Sequence, residues 1–360
     1  MKSITSFLRS TCILFAAFGF AAAALGCSSA AGSEDAAEVS GDDLTNGAVV
    51  TVAEVNFEMP TLSMRSLVSD GTNAYWQSDR AVWRAPLSGK GPTTKILADV
   101  PEAPNNGMIT VTAPGQLIVA GGDELRTITL DLKNPEKWKS GTLGQVALDD
   151  PRSSFVSDLN YVDGYVYFSI MIGLAGDVFR VRATGGVPEN LSAEGKNRYE
   201  QQIGSMAATP AGVFWTTFSP GIQFKARGAN HASTIPAPPR SFARILASGS
   251  SVFWMYGGQI WIGTVDARSG EGTSRLLIDP KVNPSASPST SFALAMDAKH
   301  VYWVSGGNIV ATTWPSGTET VVIAKDQQNV SEITVDSKNV SWSVVPEKMK
   351  TIVRSVKKPF

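Results

Sequence analysis

The sequence predicts an all-β fold in which seven four-stranded modules stand in a ring, and three observations carry that prediction. An aromatic pair recurs in one local setting, the same order of short β-prone segments and turns surrounds each copy, and the first strand complements the last. A ring of such modules around a central channel is a seven-bladed β-propeller.

The pair stands at Tyr75-Trp76, Phe214-Trp215, Phe253-Trp254 and Tyr302-Trp303, with variants at Leu117-Ile118, Tyr167-Phe168 and Ser341-Trp342. Five of the nine tryptophans thus hold one repeat position, at intervals of about 39 to 50 residues. Upstream lies an apolar segment ending in turn residues, as in Leu67-Val68-Ser69-Asp70-Gly71 and Leu294-Ala295-Met296-Asp297-Ala298. Downstream come a third segment (Val82 to Ala85, Val178 to Val181, Ile260 to Ile262), a glycine-bearing turn and a fourth segment (Lys95 to Leu97, Leu276 to Ile278). We name these strands a, b, c and d from the axis outward.

The pair has a physical reason. Neighbouring residues on a strand point to opposite faces, and a blade is covered by another blade on each face, so strand b needs a large apolar group on both sides. A two-layer sandwich would leave one side polar. The aromatics are therefore read as core.

The repeats fall at 64–100, 107–148, 157–193, 203–238, 243–279, 291–325 and 330–360. The irregular second repeat keeps six and eight blades as alternatives to seven. The seventh repeat lacks a strand d, and residues 49–53 (Val49 to Ala53) resemble the strand d at Thr320 to Ala324. That segment is expected to close the ring as the outer strand of the last blade, covering an edge otherwise free to pair with other chains. The repeats resemble the YWTD repeats of low-density-lipoprotein-receptor propellers and related repeats of bacterial surface lipoproteins. Gln77-Ser78 and Val304-Ser305 stand where that family has Thr-Asp, so the resemblance carries over no role for that Asp, and the family's six blades differ from the seven counted here.

The N-terminus reads as a targeting segment, with Lys2 and Arg9 ahead of an apolar run from Cys12 to Leu25 that is short for a bilayer span. Ala24-Leu25-Gly26-Cys27 resembles the lipobox of bacterial lipoproteins, which implies a signal peptide over 1–26 and lipid attachment at Cys27. Each buried acyl methylene would contribute about 0.8 kcal/mol to anchoring. By the same resemblance, Ser28 implies the outer membrane. Residues 27–47 are rich in Ala, Ser, Gly, Asp and Glu and read as a flexible acidic tether, leaving 48–360 for the propeller.

Cys12 and Cys27 are the two cysteines, so the mature body is expected to lack disulfides and thiolate metal sites. A formal net charge of −1 with 18% charged residues argues against a nucleic-acid partner. No cofactor or metal is implied, and a monomer is expected.

His300 stands in an a-to-b turn, where polar turn formers belong, and His231 in a peripheral c-to-d connection. Asp149-Asp150 reads as a solvated loop and Asp42-Asp43 as tether. No nucleophile elbow, zinc helix or phosphate loop is present. In a propeller the d-to-a and b-to-c connections emerge on one face, and there the sequence places Arg152, Arg198, Tyr199, Phe218, Arg240, Tyr256 and Lys281 as partner-binding candidates. The reading is a non-catalytic binding or scaffolding module for an envelope protein or polysaccharide. A propeller enzyme of lyase or lactonase type is the alternative, favoured by three or more carboxylates or a His converging on the axis.

Overall fold

The computed structural model describes residues 47–56, 65–78, 81–97, 108–121, 124–131, 133–134, 137–146, 154–172, 175–192, 203–217, 221–237, 244–256, 259–266, 269–278, 293–347 and 350–360. Within them lies β1 (Val50–Asn56), followed by blade 1 with β2 (Arg65–Ser69), β3 (Asn73–Ser78), β4 (Ala81–Pro86) and β5 (Thr94–Leu97). Blade 2 holds β6 (Met108–Ala113), β7 (Gln116–Gly121), β8 (Glu124–Leu130) and β9 (Trp138–Gln145). Blade 3 holds β10 (Ser154–Val162), β11 (Tyr165–Ile172), β12 (Ala175–Arg182) and β13 (Glu189–Asn190). Blade 4 holds β14 (Ile203–Thr209), β15 (Gly212–Thr217), β16 (Ile222–Ala226) and β17 (Ser233–Ile235). Blade 5 holds β18 (Ile245–Ser248), β19 (Ser251–Tyr256), β20 (Gln259–Val265) and β21 (Gly272–Ile278). Blade 6 holds β22 (Leu294–Met296), β23 (His300–Ser305), β24 (Asn308–Thr313) and β25 (Thr320–Ala324), and blade 7 holds β26 (Val330–Val335), β27 (Asn339–Glu347) and β28 (Lys350–Lys357).

The strands form seven four-stranded antiparallel sheets, six of them from consecutive strands. In the seventh, β1 lies outermost, next to β28, with Val50 opposite Ser355 and Asn56 opposite Lys350. The innermost strands β2, β6, β10, β14, β18, β22 and β26 neighbour one another in that order, and β26 returns to β2. The fold is a seven-bladed β-propeller.

Seven apolar cores fill the seven gaps between blades, and the strand b pair divides between them. Tyr75 packs toward blade 2 with Ile109 and Val119, while Trp76 packs toward blade 7 with Val52, Val55 and Val353. Tyr302 faces blade 7 and Trp303 faces blade 5. Trp76, Trp254, Trp303 and Trp342 are among the largest fully enclosed side chains. Each ring of this kind removes on the order of 150 to 250 Å² from water.

Blade 2 corrects the sequence alignment. There Ile118 faces blade 3 while Leu117 and Val119 face blade 1, so Ile118-Val119, not Leu117-Ile118, is the equivalent of Tyr-Trp. Side chains alternate along a strand, so a one-residue slip exchanges the two faces. In an all-aliphatic stretch, letter type alone cannot choose between the two registers.

The a-to-b turns explain the Tyr of the pairs in blades 1 and 6 and the Phe of those in blades 4 and 5. Asp70 accepts the amides of Thr72 and Asn73 through one oxygen and the Tyr75 hydroxyl through the other, at 2.7 Å. Asp297 does the same with Lys299, His300 and the Tyr302 hydroxyl. In blades 4 and 5 the pairs begin with Phe214 and Phe253, and the corresponding turn positions carry Thr209 and Ser248. In blades 1 and 6 the buried hydroxyl thus has an acceptor in its own turn, whereas in blade 3 Val162 holds the turn position and the buried Tyr167 hydroxyl meets Arg180 instead. Burial, then the bond to the carboxylate, raises the Tyr75 and Tyr302 pKa values, so these rings stay neutral hydrogen-bond donors.

Candidate functional site

Strand a of each blade has one edge paired to strand b and the other turned to the channel, so its free amides need partners from elsewhere. The residue two places before the partner of the strand b aromatic supplies them. This position is held by Ser66, Met108, Asp158, Ser205, Arg244, Ala293 and Glu332 in blades 1 to 7. They form one tier around the axis.

Where this tier carries an acceptor, it takes the amide of the next blade's strand a. Glu332 accepts from Leu67, Ser66 from Ile109, Asp158 from Met206 and Ser205 from Ile245. The distances for the last three are 2.9, 3.0 and 3.2 Å. These bonds staple blade 7 to 1, 1 to 2, 3 to 4 and 4 to 5. In blades 1, 3, 4 and 7 the pairing with strand b shifts register at this level, so a bulge turns the side chain toward the neighbouring blade.

Arg244 is the exception that matters. A guanidinium donates only, so at this position in blade 5 it cannot staple. It stands instead 3.7 Å from Glu332, with 37% of its side chain exposed. Together with Asp158, Asn160, Ser66, Met108, Met206 and Met296 it lines a cavity of about 240 Å³. The cavity draws residues from six of the seven innermost strands or their immediate ends, which identifies it with the central channel.

Asp158 is the titratable centre of this cavity. Burial pushes its carboxyl up to about 7, against the pull of the Arg244 charge and of hydrogen bonds from the Met206 amide, Ser205 and Ser169. Near neutral pH the tier therefore carries one cation, one carboxylate loosely paired with it, and one carboxyl close to half-protonated. Such a set can receive a carboxylate on Arg244 or a hydrogen-bond donor on Asp158 and Asn160. Among the described residues two carboxylates of the tier, Asp158 and Glu332, stand toward the axis, and both serve as acceptors for backbone amides. Histidine does not occur in the tier.

Of the partner-binding candidates read from the sequence, Tyr256 alone falls among the described residues. It ends β19 opposite Gln259, 41% exposed, on the face from which the d-to-a and b-to-c connections leave. Arg152, Arg198, Tyr199, Phe218, Arg240, Lys281, the anchor Cys27 and Asp149-Asp150 lie outside the described residues. His231 lies exposed in the c-to-d connection of blade 4. His300 opens β23 at the a-to-b end, with Nδ1 3.6 Å from Asp297 and its ring 4.0 Å from that of Phe360. That end is opposite the longer connections, so His300 is no channel-mouth group.

Asp158, Arg244 and Glu332 were missed by sequence reasoning. A usable signal existed: they are charged letters within or immediately before the innermost strands, at one repeat position. Reading it required the bulges and the corrected register.

No known family profile matches the chain, and no curated protein does. Among solved structures, virginiamycin B lyase from Staphylococcus aureus is similar at 15% identity and a TM-score of 0.58, covering 86% of this chain and 99% of that one. A streptogramin B lyase is similar at 13% identity and a TM-score of 0.58, covering 88% and 100%. YCF48 bound to D1 peptide is similar at 12% identity and a TM-score of 0.54, covering 88% and 99%. Identities this low establish the propeller fold and nothing finer.

Proposed function

We propose that the protein is a lipid-anchored propeller of the bacterial outer membrane that binds a protein partner at the channel mouth, on the face of the longer connections. The carrying observation is Arg244: it is the one cation in the inner tier, it takes no part in stapling blades, and it borders the cavity. A guanidinium in that setting suits a carboxylate presented by an acidic side chain or a chain end of the partner. Tyr256, exposed on the same face, supplies an aromatic contact of the kind that anchors interfaces. A propeller of similar fold, YCF48, was solved bound to D1 peptide, so a protein partner is compatible with this architecture. The anchor rests on the lipobox resemblance at Cys27.

The test is photo-crosslinking in intact cells from a reactive side chain placed at Tyr256, with metabolic palmitate labelling of the same chain. One dominant adduct is expected, lost on Arg244→Glu, together with label lost on Cys27→Ala. An adduct indifferent to Arg244→Glu would remove the channel mouth as the binding site. A chain that never takes up label would remove the anchor.

A further inference from the structure

We propose that the cavity between blades 6 and 7, at the a-to-b end of the propeller, is a second binding site, and that it takes an uncharged aromatic ring carrying a hydroxyl. It shares no residue with the channel cavity and lies at the opposite end of the blades from Tyr256.

Blade 6 departs from blades 1 and 3 at one position. In those two blades the strand c residue opposite the tyrosine of the pair is an arginine, Arg84 facing Tyr75 and Arg180 facing Tyr167. Each arginine engages the side chain two residues before that tyrosine: Arg84 donates to Asn73 at 2.9 Å, and Arg180 lies over the Tyr165 ring at 5.3 Å. In blade 6 the residue opposite Tyr302 is Ala311, and the residue two before it is His300. Tyr302 faces blade 7, and side chains alternate along a strand, so His300, Ala311 and Thr313 share that face. A short side chain where the other blades have a long one opens the gap, and the space amounts to about 590 Å³, the size of a small-molecule site.

Ala311 and Val321 of blade 6 form one wall, and Pro359 and Phe360, which follow β28, form the other. The Phe360 ring stacks on that of His300 at 4.0 Å and is half exposed, so one of its faces is open to a second ring. The imidazole beneath it has an unmet bond. Its Nδ1 is enclosed and has no hydrogen-bond partner among the described residues, with an oxygen of Asp297 3.6 Å away. Asp297 is itself saturated, taking the amides of Lys299 and His300, the Tyr302 hydroxyl and the Lys358 ammonium. The nearness of that carboxylate keeps the ring proton on Nδ1 and leaves Nε2 an acceptor, to which no group among the described residues donates.

The charges around this space select no ion. Two carboxylates, Asp297 and Glu319, and two ammoniums, Lys299 and Lys358, border the cavity, so it offers no net attraction to an anion or a cation. A hydroxyl matches what is there. It donates to Nε2, and it accepts from Lys358, whose side chain is 8% exposed and whose ammonium gives one of its three donors to Asp297. A flat ring bearing that hydroxyl fills the space beside Phe360 and brings few rotors to be ordered. An aliphatic alcohol would make the same bonds and leave the Phe360 face unstacked.

The chain has two histidines, His300 in this cavity and His231 exposed in blade 4, so imidazole NMR carries its own control. The experiment is titration of the full chain in detergent, with isotope-labelled histidine, against para-ethylphenol, para-ethylanisole and para-ethylbenzoate, the His300 signal being assigned by its loss in His300→Phe. Saturable movement of the His300 Nε2 resonance with para-ethylphenol is expected while His231 stays fixed, and para-ethylanisole, whose oxygen cannot donate, should bind about tenfold more weakly. Ala311→Arg, which supplies the side chain that blades 1 and 3 have there, should abolish the movement. Phe360→Ala, at an exposed position, should weaken binding about threefold or more and keep the wild-type melting curve. No saturable His300 shift up to about 10 mM, equal movement of His231, or undiminished binding by Phe360→Ala would overturn the site. Para-ethylanisole binding as tightly as the phenol would overturn the hydroxyl, and para-ethylbenzoate binding as tightly would overturn the preference for an uncharged ring.

Discussion

At the inner ring, charged and hydroxyl side chains join one blade to the next, each acceptor engaged by a backbone amide; on the outer rim between blades 3 and 4, three guanidiniums collect around Tyr165, and among the described residues Arg180 and Arg227 have carboxylate partners while Arg182 has none. The difference teaches where polarity serves the fold and where it can be removed without stranding a buried group. A polar group that cannot be removed without stranding a buried partner is structural, however functional its residue type looks. By that standard Asp158 and Glu332 belong first to the ring, and Arg182, exposed and without a carboxylate partner among the described residues, does not.

The largest effect is expected where the outer rim is itself structural. Removing residues 48–56 takes away β1, and with it Val52, Ala53 and Val55, which enclose Trp76, and it uncovers the edge of β28. Two valines and an alanine leaving a core correspond to on the order of 5 kcal/mol, and a free strand edge invites association. A thermal melt with size-exclusion chromatography should show a large drop in Tm with aggregation, and an unaltered melt would mean that the ring does not depend on this strand.

Next comes Glu332→Ala, which leaves the Leu67 amide without its acceptor and Arg244 without its counter-charge. A stranded donor costs about 1 to 3 kcal/mol, readable as a lower denaturation midpoint. If the midpoint held, the staple between blades 7 and 1 would be geometric coincidence.

Asp158 gives the comparison a pH axis. Its carboxyl titrates higher in the fold than in the unfolded chain, so between about pH 4 and 7 the folded state binds more protons. Stability then falls as pH rises through that window and levels off above it, with a slope of at most about 1.4 kcal/mol per pH unit. Asp158→Asn retains an acceptor for the Met206 amide but has no proton to lose, so its profile should be flatter across the window. Asp297 works in the opposite sense: burial would raise its pKa, but bonds from Lys358, the Lys299 amide, Tyr302 and the His300 amide outweigh that and hold it low. Its contribution is present above the ordinary carboxylate range and is lost in acid. A wild-type profile with no decline from pH 4 to 7 would count against the buried setting of Asp158.

A smaller effect, about 1 kcal/mol, is expected from Tyr75→Phe, because the Asp70 oxygen that loses the hydroxyl still accepts from the Gly115 amide. The converse change, Phe253→Tyr, buries a hydroxyl in a blade whose turn offers Ser248 rather than Asp, and should cost more. Equal costs in urea titrations would show that the turn residue does not govern the choice between Tyr and Phe.

How much was legible in the letters follows from these residues. Trp76, Trp254, Trp303 and Trp342 gave away the repeat because a blade's two covered faces demand large groups at adjacent positions, a pattern visible without coordinates. Blade 2 resisted because Leu117, Ile118 and Val119 are equally apolar, so only packing tells which faces blade 1. The inner tier was hidden for another reason: bulges displace Ser66, Asp158, Ser205 and Glu332 from simple alternation, and their common role appears only when each is seen bonded to the next blade. The loop residues chosen by type, Arg152 and Arg240 among them, lie outside the described residues, and the guanidiniums that gather around Tyr165 carry no repeat signal that would single them out in the sequence.

The finest discrimination between ring and rim is Arg182→Ala measured for stability alone. Arg182 is exposed, pairs with no carboxylate among the described residues, and contributes one of three cation-π contacts to a ring that keeps the other two. Removing it also relieves repulsion from Arg180 and Arg227. The two terms oppose each other, so the change should stay within about 0.5 kcal/mol and could be slightly stabilising at low salt, where unscreened repulsion is greatest. A loss as large as that of Glu332→Ala would place Arg182 with the structural polar groups, and the separation of inner ring from outer rim would fail at the residue on which it depends most.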